Sequence, residues 1–307
     1  MKKKLPTVMK DTLIGAGIGT GIIIPGISGG TIALIFNAFE KMTGAVRTLF
    51  SKSFLRSFFT LLPFIIGIVV AFGALYFPFS LALDHIKFSM VCLFAGLIAG
   101  SLPLVTTKIK DKKPSISNMI GLILGLIFSV LIGVFSVIFD FSGTISTLFA
   151  NIPFYLYFIL LGVGFIAGAA IIVPGISGSL VILILGFYDS LMDLFKTLFK
   201  TETALSSALL LLSTGIGILL GFVLTSIFIN RLLENHNRGT MFVILGFILG
   251  SLFTIFFNSE MFAWFNGNKF GLIEWILGPC LAIGGFIGAF LLSRFASRKQ
   301  EQINAEN

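Results

Sequence analysis

The stretch GIIIPGISGGT, residues 21–31, breaks a helix in the middle of an apolar run. Proline removes a backbone donor and crowds the turn before it, yet it suits the first turn of a new helix. Glycine adopts backbone angles that other residues avoid. PGISG therefore ends one half-helix and starts another. The phrase returns as AIIVPGISGSL, residues 170–180.

Around the two phrases the halves of the chain correspond. Gly15, Gly19, Ile22, Ile23, Leu34 and Ile35, like PGISG itself, recur as identical residues 149 positions later. After a slip of one residue, IGIV at 66–69 echoes IGIL at 216–219, and GLIAGSL at 96–102 echoes GFILGSL at 246–252. Shared segment order marks a duplication, with residues 1–150 as repeat one and 151–307 as repeat two.

The 307 residues are 56% hydrophobic and 11% charged, with a mean hydropathy of +1.06. A soluble domain carries roughly 25% charge. The expected fold class is an all-α polytopic membrane protein. Helices are expected near 58–80, 88–107, 117–139, 205–229, 240–257 and 273–293, with broken segments at 12–39 and 152–188. No cleavage site closes a signal peptide after MKKKLPTVMKD. The net charge of +8 reads as cytoplasmic loop charge, not as a nucleic-acid surface. Cys92 and Cys280 lie in apolar runs and read as small packing residues; no metal site is expected.

Loop charge selects a topology. If each broken segment returns to its own side, 17 Lys and Arg lie inside and 4 outside, with both termini cytoplasmic. If each crosses once, the split is 10 against 11. The positive-inside rule selects the first. Each half is then a re-entrant broken-helix hairpin plus three transmembrane helices, and the halves are inverted copies. An arm over residues 12–24 spans roughly 20 Å, short of a ~30 Å core, so a hairpin is favoured over a full crossing.

A helix start leaves N–H groups without intrahelical partners, which in hydrocarbon must be buried in protein or face a cavity. Such groups suit an anion. The candidate site comprises Pro25, Gly26, Ile27, Ser28, Gly29, Gly30 and Thr31 with Pro174, Gly175, Ile176, Ser177, Gly178 and Ser179. The plain alternative is a kink with tight glycine packing. Glu40 and Asp189 follow the breaks at equivalent positions and are candidates for a proton or sodium coupling step, or simply solvated helix ends. Arg47, Lys52 and Arg56 can gather anionic headgroups or serve only as interfacial charge. Gly96, Gly100, Gly246 and Gly250 have the spacing of close helix contacts, and Trp264 and Trp275 read as an interfacial belt.

PGISGGT, PGISGS and the acid after each resemble the PopT-type polyprenyl-phosphate transporters over the whole chain. The resemblance implies flipping of undecaprenyl phosphate from the outer to the inner leaflet of the bacterial cytoplasmic membrane, with a lipid substrate and no cofactor. Gly30-Thr31 stands where repeat two has Ser179-Leu180, so the hairpins need not contribute equally. The residues alone also admit a transporter or channel for a small soluble anion. An enzyme is disfavoured: G-I-S-G imitates a serine-protease motif, but the chain's two histidines, His85 and His236, fall in expected loops on opposite faces.

Overall fold

In the computed structural model the described residues are 7–24, 32–33, 36, 38, 41–42, 44–45, 54–109, 114–138, 152–172, 178–200, 202–257, 259–267 and 271–306. They are almost entirely helical. In chain order the helices are α1 (Thr7–Ile23), α2 (Phe54–Ser101), the short α3 (Pro103–Thr106) with a 3-10 turn at Thr107–Ile109, and α4 (Ile116–Ile138). Then come α5 (Phe154–Ile172), α6 (Gly178–Ile184), α7 (Tyr188–Leu198), α8 (Ala204–Thr254), α9 (Ser259–Asn266) and α10 (Leu272–Glu306). Five described helices are long and apolar enough to cross a membrane, or six if the bent pair α6–α7 counts as one span. Large apolar side chains such as Phe128, Leu131, Phe158, Leu219 and Ile283 stand exposed on their outer faces. Exposed apolar surface of this extent belongs against lipid. The protein is a polytopic, all-α membrane protein.

Two expected loops are absent. α2 and α8 run for 48 and 51 residues, each interrupted by a single non-helical residue, Ile86 in one and His236 in the other. A straight helix of 48 residues would measure about 72 Å, more than twice the ~30 Å core, so each length fits two crossings meeting at the break. The breaks fall at equivalent places, 150 residues apart. His85 consequently lies on α2, its ring bonded to the Leu81 carbonyl, not in a loop.

Packing in one half recurs in the other. A side chain on Gly15 would strike the Phe64 carbonyl, one on Gly19 the Ile68 carbonyl, and one on Gly67 the Thr12 carbonyl. The counterparts Gly164, Gly168 and Gly217 meet the carbonyls of Thr214, Ile218 and Leu161. Backbones this close require glycine, and they bind α1 to the first part of α2 and α5 to the first part of α8. The later parts are exchanged. Gly96 and Gly100 seat α2 on Ala282 and Phe286 of α10, whereas Gly246 and Gly250 seat α8 on Leu122 and Leu126 of α4. The expected close packing at these four glycines is therefore present, and each half lends a helix to the other.

The arms are longer than the roughly 20 Å expected. α1 has 17 residues and α5 has 19, about 25 and 28 Å, because helix begins before the apolar run in α1. Each arm is followed by a return. Ile32 packs on Gly17 and is buried with Ile14, Ile18, Ala33 and Ala38. In repeat two α6 packs back on α5. Both returns end alike: Ala38 N–H donates to the Ala33 carbonyl at 2.8 Å, and Phe187 N–H to the Ile182 carbonyl at 3.1 Å. With Gly186 N–H on the Leu183 carbonyl at 3.1 Å and Gly186 at φ 75°, this is the left-handed glycine stop that satisfies the last carbonyls of a helix. α7 leaves it at 107° to α6.

Candidate functional site

Of the break residues, Pro25, Gly26, Ile27, Ser28, Gly29, Gly30, Thr31, Pro174, Gly175, Ile176 and Ser177 lie outside the described residues, as do Glu40 and Arg47. Gly178, Ser179 and Asp189 are described. Gly178 opens α6 against α5: a Cβ there would sit 3.0 Å from the Ala167 carbonyl oxygen and 3.0 Å from Ile171 Cγ1. Ser179 is buried and lines a cavity of about 480 Å³.

That cavity is bounded by both halves of the chain. The end of α1 supplies Ile18 and Gly21 to Ile23; the hairpin of repeat two supplies Ala167, Gly178 and Ser179. Phe72 of α2, Tyr188 and Phe195 of α7, and Thr214 and Gly215 of α8 complete the wall. The lining is overwhelmingly apolar, with Ser179, Tyr188 and Thr214 as its hydroxyls. The Thr214 hydroxyl donates to the Leu210 carbonyl of its own helix. A second cavity of about 490 Å³ lies on the other side of the same hairpin, among Phe128, Phe165, Val181, Val243 and Phe247, with His236 and Thr240 on its wall.

Tyr188 joins the two hairpins. Its buried hydroxyl donates at 2.7 Å to the carbonyl of Ile23, the last residue of α1, one residue before Ile24 and the first break. A helix ends with carbonyls that lack intrahelical partners, and here a side chain from the other repeat supplies one. The rest of α7 is held to α2. Asp189 forms an ion pair with Lys87, the Tyr76 hydroxyl donates to the Met192 carbonyl at 2.8 Å, and Lys196 bridges Asp84 at 3.0 Å and Asp193 at 3.1 Å. α7 thus forms part of the cavity wall and is held to α2 along its length.

A family model described as VCA0040-like, undecaprenyl phosphate translocase-like, matches residues 18–271. The chain belongs to this family. It is 31% identical over 292 residues to the polyprenyl-phosphate transporter of Staphylococcus aureus (strain NCTC 8325 / PS 47), covering 94% of this chain and 98% of that relative. It is 26% identical over 296 residues to the polyprenyl-phosphate transporter of Vibrio cholerae serotype O1 (strain ATCC 39315 / El Tor Inaba N16961), covering 91% and 88%. No solved structure matches the chain. The family shown is thus the one that the PGISG phrases and their following acids resemble.

Two expectations need correction. Trp264 is buried at 5% exposure and donates to Glu274 Oε1 at 3.1 Å, so it is no interfacial residue; Trp275, at 62%, remains exposed. Cys92 is buried as expected, but Cys280 is exposed on α10. Sequence reading also passed over Glu274, which is 2% exposed and accepts the Ser89 N–H at 3.0 Å at the start of the later part of α2. In the sequence Lys87 reads only as one of the 4 Lys and Arg assigned outside. A lone charge beside an apolar run was the available signal in both cases. Lys41, next to Glu40, pairs with the buried Asp11 and stands 5.5 Å from the centre of the Phe64 ring. Among the described residues no His, Cys, Asp or Glu cluster could hold a metal ion.

Proposed function

We propose that this protein carries undecaprenyl phosphate from the outer to the inner leaflet of the bacterial cytoplasmic membrane, returning the carrier lipid for another round of envelope synthesis. The observation that carries this reading is the apolar cavity of about 480 Å³ bounded by both repeats beside the second break. A polyprenyl phosphate is a compact anion on a long apolar chain. An apolar cavity of this size suits part of the chain. The break residues 25–31 and 174–179 hold the phosphate, through backbone N–H groups and the hydroxyls of Ser28 and Ser177. Family membership and the two relatives named polyprenyl-phosphate transporters support the same substrate. A small soluble anion would leave the apolar lining without a purpose. The protein acts as a transporter and not as an enzyme.

Access alternates as one repeat moves against the other. The recurrent glycine contacts and the exchanged helices support a two-fold relation between halves, and loop charge supports its inversion across the membrane. Both termini are cytoplasmic on this reading. Glu40 and Asp189 remain candidates for a coupling proton or sodium ion. The direct test is to measure undecaprenyl phosphate exposed on the outer leaflet of cells with and without the protein. Accumulation in its absence is expected; an unchanged level overturns the proposal. In the same cells a single cysteine at position 110 should resist an impermeant thiol reagent, and labelling from outside would overturn the inverted topology.

A further inference from the structure

We propose that Lys87 is a cationic contact for the lipid phosphate at the start of α7, beside the cavity wall, with Asp189 holding its place until the phosphate displaces that carboxylate. The proposal rests on the lipid-phosphate reading above and names a binding residue outside the two breaks.

The placement comes first. Lys87 immediately follows the break at Ile86, and Asp189 stands in the first turn of α7. Its neighbour Tyr188 is on the cavity wall and bonded to Ile23; Met192, one turn further, is on the wall as well. The ion pair therefore lies at the start of α7, next to the cavity wall, although neither Lys87 nor Asp189 lines the cavity itself.

The two partners differ in exposure. The Lys87 side chain is 9% exposed and that of Asp189 is 35%. A buried ammonium is costly without an anion beside it. A carboxylate one-third exposed can turn into water and keep its charge. The pair can thus exchange its anion but not its cation. A phosphate monoester brings up to two negative charges and three acceptor oxygens against one charge on Asp189, so it competes for the same ammonium. Lysine is a point-charge binder of phosphate and imposes no planar geometry on it.

Neighbouring groups narrow the choice to Lys87. Lys196 already serves two carboxylates, Asp84 and Asp193. The Ser89 N–H, two residues on, is taken by Glu274, whose other oxygen accepts from Trp264. The arrangement is also one-sided. Repeat one carries Glu40 where repeat two has Asp189, but the counterpart of Lys87 is Asn237. The Lys87–Asp189 pairing is therefore particular to this site, with no identical lysine at the matching position.

The test is a binding titration of the purified full-length protein in detergent, with a C15 prenyl monophosphate and the matching prenol. Lys87→Met should weaken prenyl phosphate binding at least about tenfold and leave the prenol unchanged, since a contact to a charged group is lost. Asp189→Asn should strengthen it severalfold, because the competing carboxylate is gone and Lys87 remains. A merely structural ion pair would move both variants the same way, and that outcome overturns the proposal. The double variant Lys87→Asp with Asp189→Lys restores an ion pair and guards against misfolding. It should bind the phosphate weakly, and wild-type affinity in it also overturns the assignment. If the wild-type protein shows no preference for the phosphate over the prenol, the lipid-phosphate reading itself fails. If that preference is present and only the variant pattern fails, Lys87 alone is wrongly assigned.

Discussion

At the scale of single residues, the bond from Tyr188 to Ile23 is the most exacting contact. Tyr188→Phe keeps the ring and removes the hydroxyl, leaving a buried carbonyl at the end of α1 without that donor. The expected loss is about 1–3 kcal/mol, read as a fall in the thermal unfolding midpoint in detergent. An unchanged midpoint would mean that the hairpins are not joined there. Nothing local in the sequence announces this contact, because its partners are 165 residues apart. Lys87 and Glu274 are hidden for the same reason: Lys87 looks like an ordinary loop charge and Glu274 like a charge at the edge of an apolar helix until the fold brings each its partner. PGISG is the opposite case. Proline and glycine act on their own backbone, so the breaks are legible without any tertiary information. Trp264 shows how that kind of reading errs. A tryptophan near the end of an apolar run satisfies its N–H equally well at a wet interface or on a buried carboxylate.

Helices pack in this protein through glycine backbones, and at that scale two glycines of α8 make opposite predictions. Gly217 lies against the Leu161 carbonyl, whereas Gly215, on the cavity wall, has nothing within 4 Å of where a Cβ would stand. Gly217→Leu must force α5 and α8 apart and should destabilise by at least the ~1–3 kcal/mol of an overpacked contact. Gly215→Leu should leave the unfolding midpoint level or raise it, since leucine is the better helix former by up to ~1 kcal/mol. Equal destabilisation of the two would contradict this packing. The existence and extent of the long helices are legible because bilayer thickness sets the length of apolar runs. The breaks at Ile86 and His236 fall in the gaps expected between helices, although neither position carries the glycine or proline that marks the other interruptions. Local composition there suggests loops; each break is instead a single non-helical residue between two helical parts.

For the whole molecule, the correspondence between the two halves is the feature most fully written in the sequence, and glycine contacts recur at the same offsets. What the sequence could not show is the exchange, in which α2 reaches α10 and α8 reaches α4, nor the cavity that forms between the repeats. Both depend on distant surfaces meeting. The central claim is that a lipid phosphate crosses between leaflets by way of that cavity. The most direct measurement is transfer of a labelled polyprenyl phosphate between the leaflets of liposomes holding the purified protein, wild type beside Gly215→Leu. The account predicts transfer by the wild type and a loss of at least about tenfold in the variant, whose new side chain fills the cavity while the fold persists. Transfer by a folded Gly215→Leu protein at the wild-type rate, or none by the wild type above protein-free liposomes, would contradict it.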